Sequence, residues 1–94
     1  LPDEFALQQN YPNPFNPSTQ IRYSLPVSSN VKVVVYNMLG SKVRTLHNGN
    51  QDAGYRSVMW NATNDNGDPV AAGMYIYTIE ADGYFASKKM ILLK

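Results

Sequence analysis

Residues 73–84 read Gly-Met-Tyr-Ile-Tyr-Thr-Ile-Glu-Ala-Asp-Gly-Tyr, an alternating run that ends in a turn signal. From Tyr75 to Ile79 every second position is a tyrosine or an isoleucine that faces one side, which is the period of a β-strand with one buried face. The pair Asp82-Gly83 favours a two-residue hairpin. Residues 84–93 are therefore predicted to return as the last strand of the chain.

Further segments upstream share alternating or β-branched composition and are predicted to be strands: residues 5–7, 20–25, 31–36, 42–46 and 55–60. Gly40 supplies a position of positive φ for a hairpin. Residues 47–54 are predicted to form a polar loop with an Asn-Gly turn, and residues 61–69 a second loop.

Short strands broken by turns at roughly 8–12-residue spacing predict an all-β protein, an immunoglobulin-like β-sandwich of about seven antiparallel strands. The chain contains no cysteine, so this sandwich has no disulfide. Trp60 and the seven tyrosines are expected to fill the space between the sheets.

Length and charge exclude several classes of protein. A chain of 94 residues is enough for one domain with a modest core. The formal net charge of +1 gives no electrostatic footprint for nucleic acid. The longest apolar run, Met90–Leu93, is far shorter than the roughly 20 residues of a membrane span. No nucleic-acid partner and no membrane span are expected.

Residues 11–19 contain three prolines in six positions. Proline excludes a helix here and removes donors from a sheet. The segment is predicted to be an extended arm, with Tyr11 and Phe15 anchored in the core.

No set of residues points to catalysis. His47 is the single histidine and is predicted to lie at a surface turn. Glu4 and Glu80 are the two glutamates, and nothing in their sequence context pairs them as the carboxylates of a glycosidase. The chain is predicted not to be an enzyme and to need no cofactor.

The loop at residues 61–68 is rich in side-chain oxygens. Asn64, Asn66 and Asp68 stand at alternate positions, as ligands do in calcium-binding loops, and are weak candidates for a calcium site. The favoured alternative is that these residues cap turns through their own backbone.

The end of the chain, residues 88–94, combines two lysines, four apolar residues and a final lysine. One interpretation is a central strand that is buried on both faces. The other is a terminal strand that a partner protein takes up by strand addition.

Five segments, in order, resemble the type A C-terminal sorting domain of the type nine (Por) secretion system. They are residues 11–26, residues 35–43, residues 53–60, residues 65–77 and residues 88–94. The residues that carry this resemblance as family motifs include Pro12, Asn13, Pro14, Phe15, Asn16, Pro17, Tyr36, Asn37, Gly40, Trp60, Asp65, Gly67, Gly73 and Tyr75. The middle and later segments also resemble the immunoglobulin-like domain of the flagellar hook-cap protein.

The resemblance implies a role in secretion rather than catalysis. Residues 11–94 would be the sorting domain, and residues 1–10 a linker in which or before which a sortase-like protease cuts. An N-terminal cargo domain would pass through the periplasm and the outer-membrane translocon to the cell surface or the medium. The translocon-recognition signal would be Lys88, Lys89, Met90, Ile91, Leu92, Leu93 and Lys94. Gly40 would serve a turn, and Asp65 would bind loop amides.

Two alternatives remain open at this point. The first is a structural or adhesive immunoglobulin-like module. The second is a carbohydrate-binding or calcium-binding accessory module of a secreted enzyme, in which tyrosines on one sheet face stack against sugar rings.

Overall fold

The computed structural model describes residues 1–93, and within that range the chain forms seven β-strands and no helix. The strands are β1 (Ala6–Leu7), β2 (Thr19–Leu25), β3 (Ser29–Asn37), β4 (Lys42–Gln51), β5 (Gly54–Trp60), β6 (Gly73–Ala81) and β7 (Tyr84–Leu92). The prediction of an all-β sandwich without a disulfide is confirmed. Lys94, the last residue of the predicted signal, lies outside the described residues.

The strands form two antiparallel sheets, one with the order β1-β2-β5 and the other with the order β4-β3-β6-β7. The core lies between them, because alternate side chains of each strand point to the facing sheet. Its fully buried members are mainly aliphatic and aromatic: Phe15, Ile21, Tyr23, Leu25, Val31, Val33, Val35, Trp60, Tyr77, Ile79, Ala81, Met90 and Leu92. The described part of the chain has no helix of the length and apolar character needed to cross a membrane.

Two predicted hairpins are confirmed. Asp82 and Gly83 have φ values of 46° and 86° and join β6 to β7 as a two-residue turn. Gly40, with φ of 84°, closes the turn between β3 and β4. In that turn the Asn37 Oδ1 atom accepts hydrogen bonds from the N–H groups of Leu39 and Ser41, each at 3.0 Å.

The predicted polar loop at residues 47–54 is wrong. Strand β4 continues to Gln51, where it pairs with Ser29, and only residues 52 and 53 connect it to β5. The pairing with the long strand β3 satisfies the backbone and overrides the polar composition. Since β4 is an edge strand, polar side chains such as those of Asn48 and Asn50 remain in water. His47 thus lies within a strand, half-buried, and not at a turn.

The prediction for Phe15 is confirmed, whereas that for Tyr11 is wrong. Phe15 is 1% exposed and Tyr11 is 71% exposed. Neighbouring side chains of an extended segment point to opposite sides. Asn10, which is 2% exposed, is the one that points inward, and the backbone of Tyr11 pairs with Gln20. Tyr11 must therefore face the solvent.

Residues 5–10 pack against the sandwich. Strand β1 pairs with β2, and Leu7 is buried. The ring of Phe5 stacks on that of Tyr84 with a centroid distance of 5.2 Å. The predicted linker, residues 1–10, is therefore part of the folded sandwich from Phe5 onward.

Phe15 and Tyr11 give a matched pair of substitutions. Phe15→Ala should lower the free energy of unfolding by about 3–5 kcal/mol, because it empties a buried aromatic site. Tyr11→Ala should change it by less than about 0.5 kcal/mol, since its ring is exposed and its backbone pairing is kept. Chemical denaturation measures both. Equal losses would contradict the inward orientation of Phe15.

Candidate functional site

Strand β7, which contains most of the predicted recognition signal, is an edge strand of the four-stranded sheet. Met90 and Leu92 are buried, whereas Lys89, Ile91 and Leu93 are exposed. The interpretation of a central strand buried on both faces is therefore wrong. The strand has one face in the core, one face in solvent and one edge without a neighbouring strand.

The register of β7 determines which backbone groups point to its outer edge. Ala81 and Tyr84 flank the two-residue turn and exchange hydrogen bonds, as do alternate pairs beyond them. The intervening residues direct their N–H and C=O groups away from β6: Phe85, Ser87, Lys89, Ile91 and Leu93. These groups need partners other than β6.

The proline-rich segment covers the part of this edge that is distant from the Asp82-Gly83 turn, from Lys89 to Leu93. We call residues 9–17 the arm. The Phe15 N–H donates to the Ile91 C=O at 3.0 Å, and the Leu93 N–H donates to the Phe15 C=O at 2.8 Å. The Ile91 N–H donates to the Asn13 Oδ1 atom at 3.0 Å, and the Gln9 Nε2 atom donates to the Lys89 C=O at 2.8 Å. Phe15 thus sits beside Leu92 as a parallel bridge.

The sequence of the arm explains why its side chains take part. Prolines at positions 12, 14 and 17 have no N–H, so the arm cannot pair as a full strand. The start of the arm is held by a buried amide instead. The Asn10 Nδ2 atom donates to the Pro12 C=O at 3.1 Å and to the Thr19 Oγ1 atom at 3.0 Å.

An aromatic cluster fixes the middle of the arm. The Phe15 ring lies 5.7 Å from the Trp60 ring, which meets Tyr75 edge-on at 5.2 Å. The Trp60 Nε1 atom donates to the Thr63 C=O at 2.9 Å, so its polar atom is satisfied. Three motif residues that are far apart in the sequence are thereby brought together, and they join the arm to both sheets.

Tyr77 ties the start of the arm and the residue before it to the four-stranded sheet. Its hydroxyl donates to the Gln8 C=O at 2.7 Å and accepts a hydrogen bond from the Asn10 N–H at 2.8 Å. Burial raises the pKa of Tyr77 to about 12, and the hydrogen bond from Asn10 opposes this rise. Nothing in the sequence indicated this contact.

The other edge of the same sheet is covered by the loop that carries Asp65. The Asp65 N–H donates to the Val43 C=O, and its Oδ1 atom accepts from the Thr45 N–H, both at 3.0 Å. Asp65 was expected to bind loop amides. It binds the open edge of β4 instead, because that edge lacks a neighbouring strand.

The remaining motif residues serve turns and strand ends. Tyr36 and Asn37 end β3 before the Gly40 turn, and Gly73 begins β6. Gly67, with φ of 86°, donates its N–H to the Asn64 C=O at 2.9 Å. These positions support the strands around the arm and do not form a pocket.

The calcium candidates form a capped turn. The Asn64 Oδ1 atom accepts hydrogen bonds from the N–H groups of Asn66 and Asp68, each at 3.0 Å. Over residues 1–93, no group of three or more His, Cys, Asp or Glu side chains is placed to hold a metal ion. The geometry matches the favoured alternative, in which these residues cap the loop.

A family description, the FlgD Ig-like domain, matches residues 16–84, which is more than half of the chain. The chain belongs to the FlgD Ig-like domain family. The match ends at the first residue of β7, so most of the arm and nearly all of the last strand lie outside it. A comparison with curated proteins gives no match.

Several solved structures are also similar to this chain. PorU from Porphyromonas gingivalis, crystallised as a latent dimer, is 22% identical with a TM-score of 0.75. PorZ, a surface component of the type-IX secretion system of that organism, is 20% identical with a TM-score of 0.59. FlgD from P. aeruginosa is 28% identical with a TM-score of 0.58.

The extent of these matches differs. The alignments cover 96% of this chain for PorU, 98% for PorZ and 82% for FlgD. The chain spans only 9% of PorU and 12% of PorZ, but 66% of FlgD. At their levels of identity, PorU and PorZ show that the fold is shared and nothing more.

Asp65→Ala tests the cover of the β4 edge. It should lower the free energy of unfolding by about 0.5–1.5 kcal/mol, because the Thr45 N–H loses its acceptor. Asp68→Ala is the control, since only the backbone of Asp68 takes part in the loop, and its effect should stay within about 0.5 kcal/mol. Thermal or chemical unfolding measures both, and a larger loss for Asp68→Ala would refute the assignment.

Tyr77 gives a prediction about pH. Its pKa is raised in the folded protein from an ordinary value of 10.0 to about 12, so the folded state holds the proton more tightly. Its contribution to stability is complete below pH 10, and it is lost as the pH rises to about 12. Tyr77→Phe should be less stable at pH 8 yet lose less further stability between pH 10 and 12. Urea unfolding across that range is the measurement, and parallel curves would contradict it.

Proposed function

We propose that this chain is a non-catalytic C-terminal secretion and sorting signal. It directs an attached N-terminal cargo through the outer-membrane translocon of a type nine secretion system to the cell surface. The observation that carries this proposal is the placement of residues 88–93. The segment that resembles the closing motif of the sorting family is an edge strand with one exposed face.

The exposed face of β7 suits recognition without unfolding. Ile91 is 37% exposed and Leu93 is 51% exposed, and Ile91 pairs with Met74, which is 40% exposed. Lys89 stands on the same face. A partner can contact this small apolar surface and its lysine while Met90 and Leu92 stay in the core.

The comparisons support the proposal at the level of fold. PorZ, which is a surface component of a type-IX secretion system, contains a stretch with the same architecture. The family match itself stops before the signal segment. Support for sorting therefore comes from the arm and β7, which resemble the sorting family in sequence and contact each other in the structure.

The same proposal places the proteolytic cut. Leu1 is 91% exposed and residues 3 and 4 are exposed, whereas Pro2 between them is buried. From Phe5 onward the chain packs on the sandwich, through the Phe5 ring and β1. Proteases need an accessible, extended substrate. A sortase-like protease would cut before Phe5, in the segment that leads to the cargo.

A second candidate function is a structural module. Membership of the FlgD Ig-like domain family favours it, because the match covers the sandwich but not the last strand. In that case the exposed side chains of β7 would have no effect on delivery of a cargo, and the chain would act through contacts with neighbouring subunits.

A reporter fused in front of the chain, in a bacterium with a type nine system, tests the proposal. Deletion of residues 88–94 would remove the buried Met90 and Leu92 and disturb the fold. The triple variant Lys89→Gln, Ile91→Thr, Leu93→Gln changes only exposed side chains. Surface reporter should fall on the order of tenfold, equivalent to about 1.4 kcal/mol of lost recognition.

The matched control makes the same kind of change on the other sheet: Arg22→Gln, Tyr55→Thr, Met59→Gln. All three side chains are exposed on strands β2 and β5. This variant should be delivered like the parent chain, and both triples should keep the parent melting temperature within a few degrees. Equal delivery of the two variants would favour the structural module.

A further inference from the structure

We propose that the partner binds by adding an extended strand to the outer edge of β7 at residues 85–91. In this arrangement the amides of Gln9 and Asn13 act as placeholders that the added strand replaces. The inference rests on the proposed function, which names the translocon as the partner, and adds the surface and the mode of binding.

The half of the β7 edge next to the Asp82-Gly83 turn has backbone groups without partners. Among residues 1–93, no hydrogen bond reaches the outward N–H and C=O groups of Phe85 and Ser87 or the N–H of Lys89. Strand β1 passes beside β7, but its backbone pairs with β2. Phe85 is 61% exposed and Ser87 is exposed. A row of unpaired groups in this pattern is complementary to another strand.

The other half of the β7 edge, from the C=O of Lys89 to Leu93, is bonded to the arm in two different ways. At Lys89 and at the N–H of Ile91, the partners are the side-chain amides of Gln9 and Asn13. Both residues have exposed side chains that can rotate away. From the C=O of Ile91 onward, the partner is the backbone of Phe15, whose ring is buried beside Trp60.

These two kinds of contact define the length of the docking edge. The side-chain amides mimic the N–H and C=O groups of a strand and yield to a real one at the same positions. The backbone of Phe15 stays paired with β7 when the strand is added, because moving it away would pull its buried ring out of the core. The edge therefore runs from the Asp82-Gly83 turn to Phe15, and an added strand fits residues 85–91.

The two edges of the sheet are covered at different places. Edge strands of natural proteins are usually protected against pairing. The loop of Asp65 bonds to the β4 edge at Val43 and Thr45 and so covers one end of that strand. The β7 edge carries Lys89 on its exposed face, which keeps the edge soluble and favours a strand with acidic side chains nearby.

Ser87→Pro tests the inference directly. The Ser87 N–H points to the outer edge, so proline there leaves the pairing with β6 intact, as it does on natural edge strands. The same change removes a donor and places a ring in the path of an added strand. Delivery of a fused reporter to the cell surface should be lost, while the variant remains folded.

Ser57→Pro is the matched control on the other sheet. The Gln8 N–H bonds to the Arg22 C=O, so the backbone of Arg22 points away from β5, and its neighbour Ser57 directs its N–H to the outer edge of β5. This variant has the same residue change at an exposed edge position. It should be delivered like the parent chain.

The outcomes separate this inference from the proposed function. Delivery of Ser87→Pro at the parent level would overturn the inference, while loss in the side-chain triple variant would still support sorting. Loss in both proline variants would also overturn it. If Ser87→Pro fails to fold, Phe85→Pro takes its place, because the Phe85 N–H also faces outward.

Two further measurements complete the test. The double variant Gln9→Ala, Asn13→Ala should be delivered at least as well as the parent chain, and reduced delivery would overturn the placeholder role. Light scattering at high concentration examines a second copy as the occupant. If the parent chain forms a dimer and Ser87→Pro is a monomer, the assignment of the edge to the translocon is overturned.

Discussion

The insertion of the Phe15 ring beside Trp60 is the contact on which the rest of this structure depends. It fills the end of the sandwich, and it fixes the one backbone of the arm that pairs with β7. Since β7 pairs on its other side only with β6, the last strand is held at its end by this aromatic residue. A single buried ring thus connects the beginning of the domain to its end.

The four-stranded sheet shows how a small domain manages exposed edges. On β4 the loop of Asp65 covers the edge at Val43 and Thr45, and on β7 an arm interrupted by prolines covers the edge from Lys89 to Leu93. In each cover a side-chain oxygen, Asp65 Oδ1 or Asn13 Oδ1, accepts the hydrogen bond of an outward N–H group that has no strand partner. Each cover spans part of its strand, and the part of β7 that stays open lies next to the Asp82-Gly83 turn.

Much of the fold could be predicted from local patterns. The period of two in β6 and the Asp82-Gly83 turn specify their own hairpin, and the prolines specify an arm. The length of β4 could not be predicted, because pairing with β3 stabilises a polar segment that has little preference of its own. The contacts of Gln9, Asn10 and Tyr77 depend on strand order, which adjacent hairpins do not determine. The orientation of Tyr11 followed from Asn10, whose burial no composition rule indicates.

The tyrosine that holds Gln8 and Asn10 also determines how the domain carries a mechanical load. A pull on the N-terminus enters through the short pairing of β1 with β2 and through the hydroxyl of Tyr77 on β6. Both contacts precede Phe15 in the chain, and the stacking of Phe5 on Tyr84 passes part of the load to the start of β7. A passenger pulled behind this domain would load the sandwich through these contacts, and the pairing of Phe15 with the end of β7 would bear load only after they break.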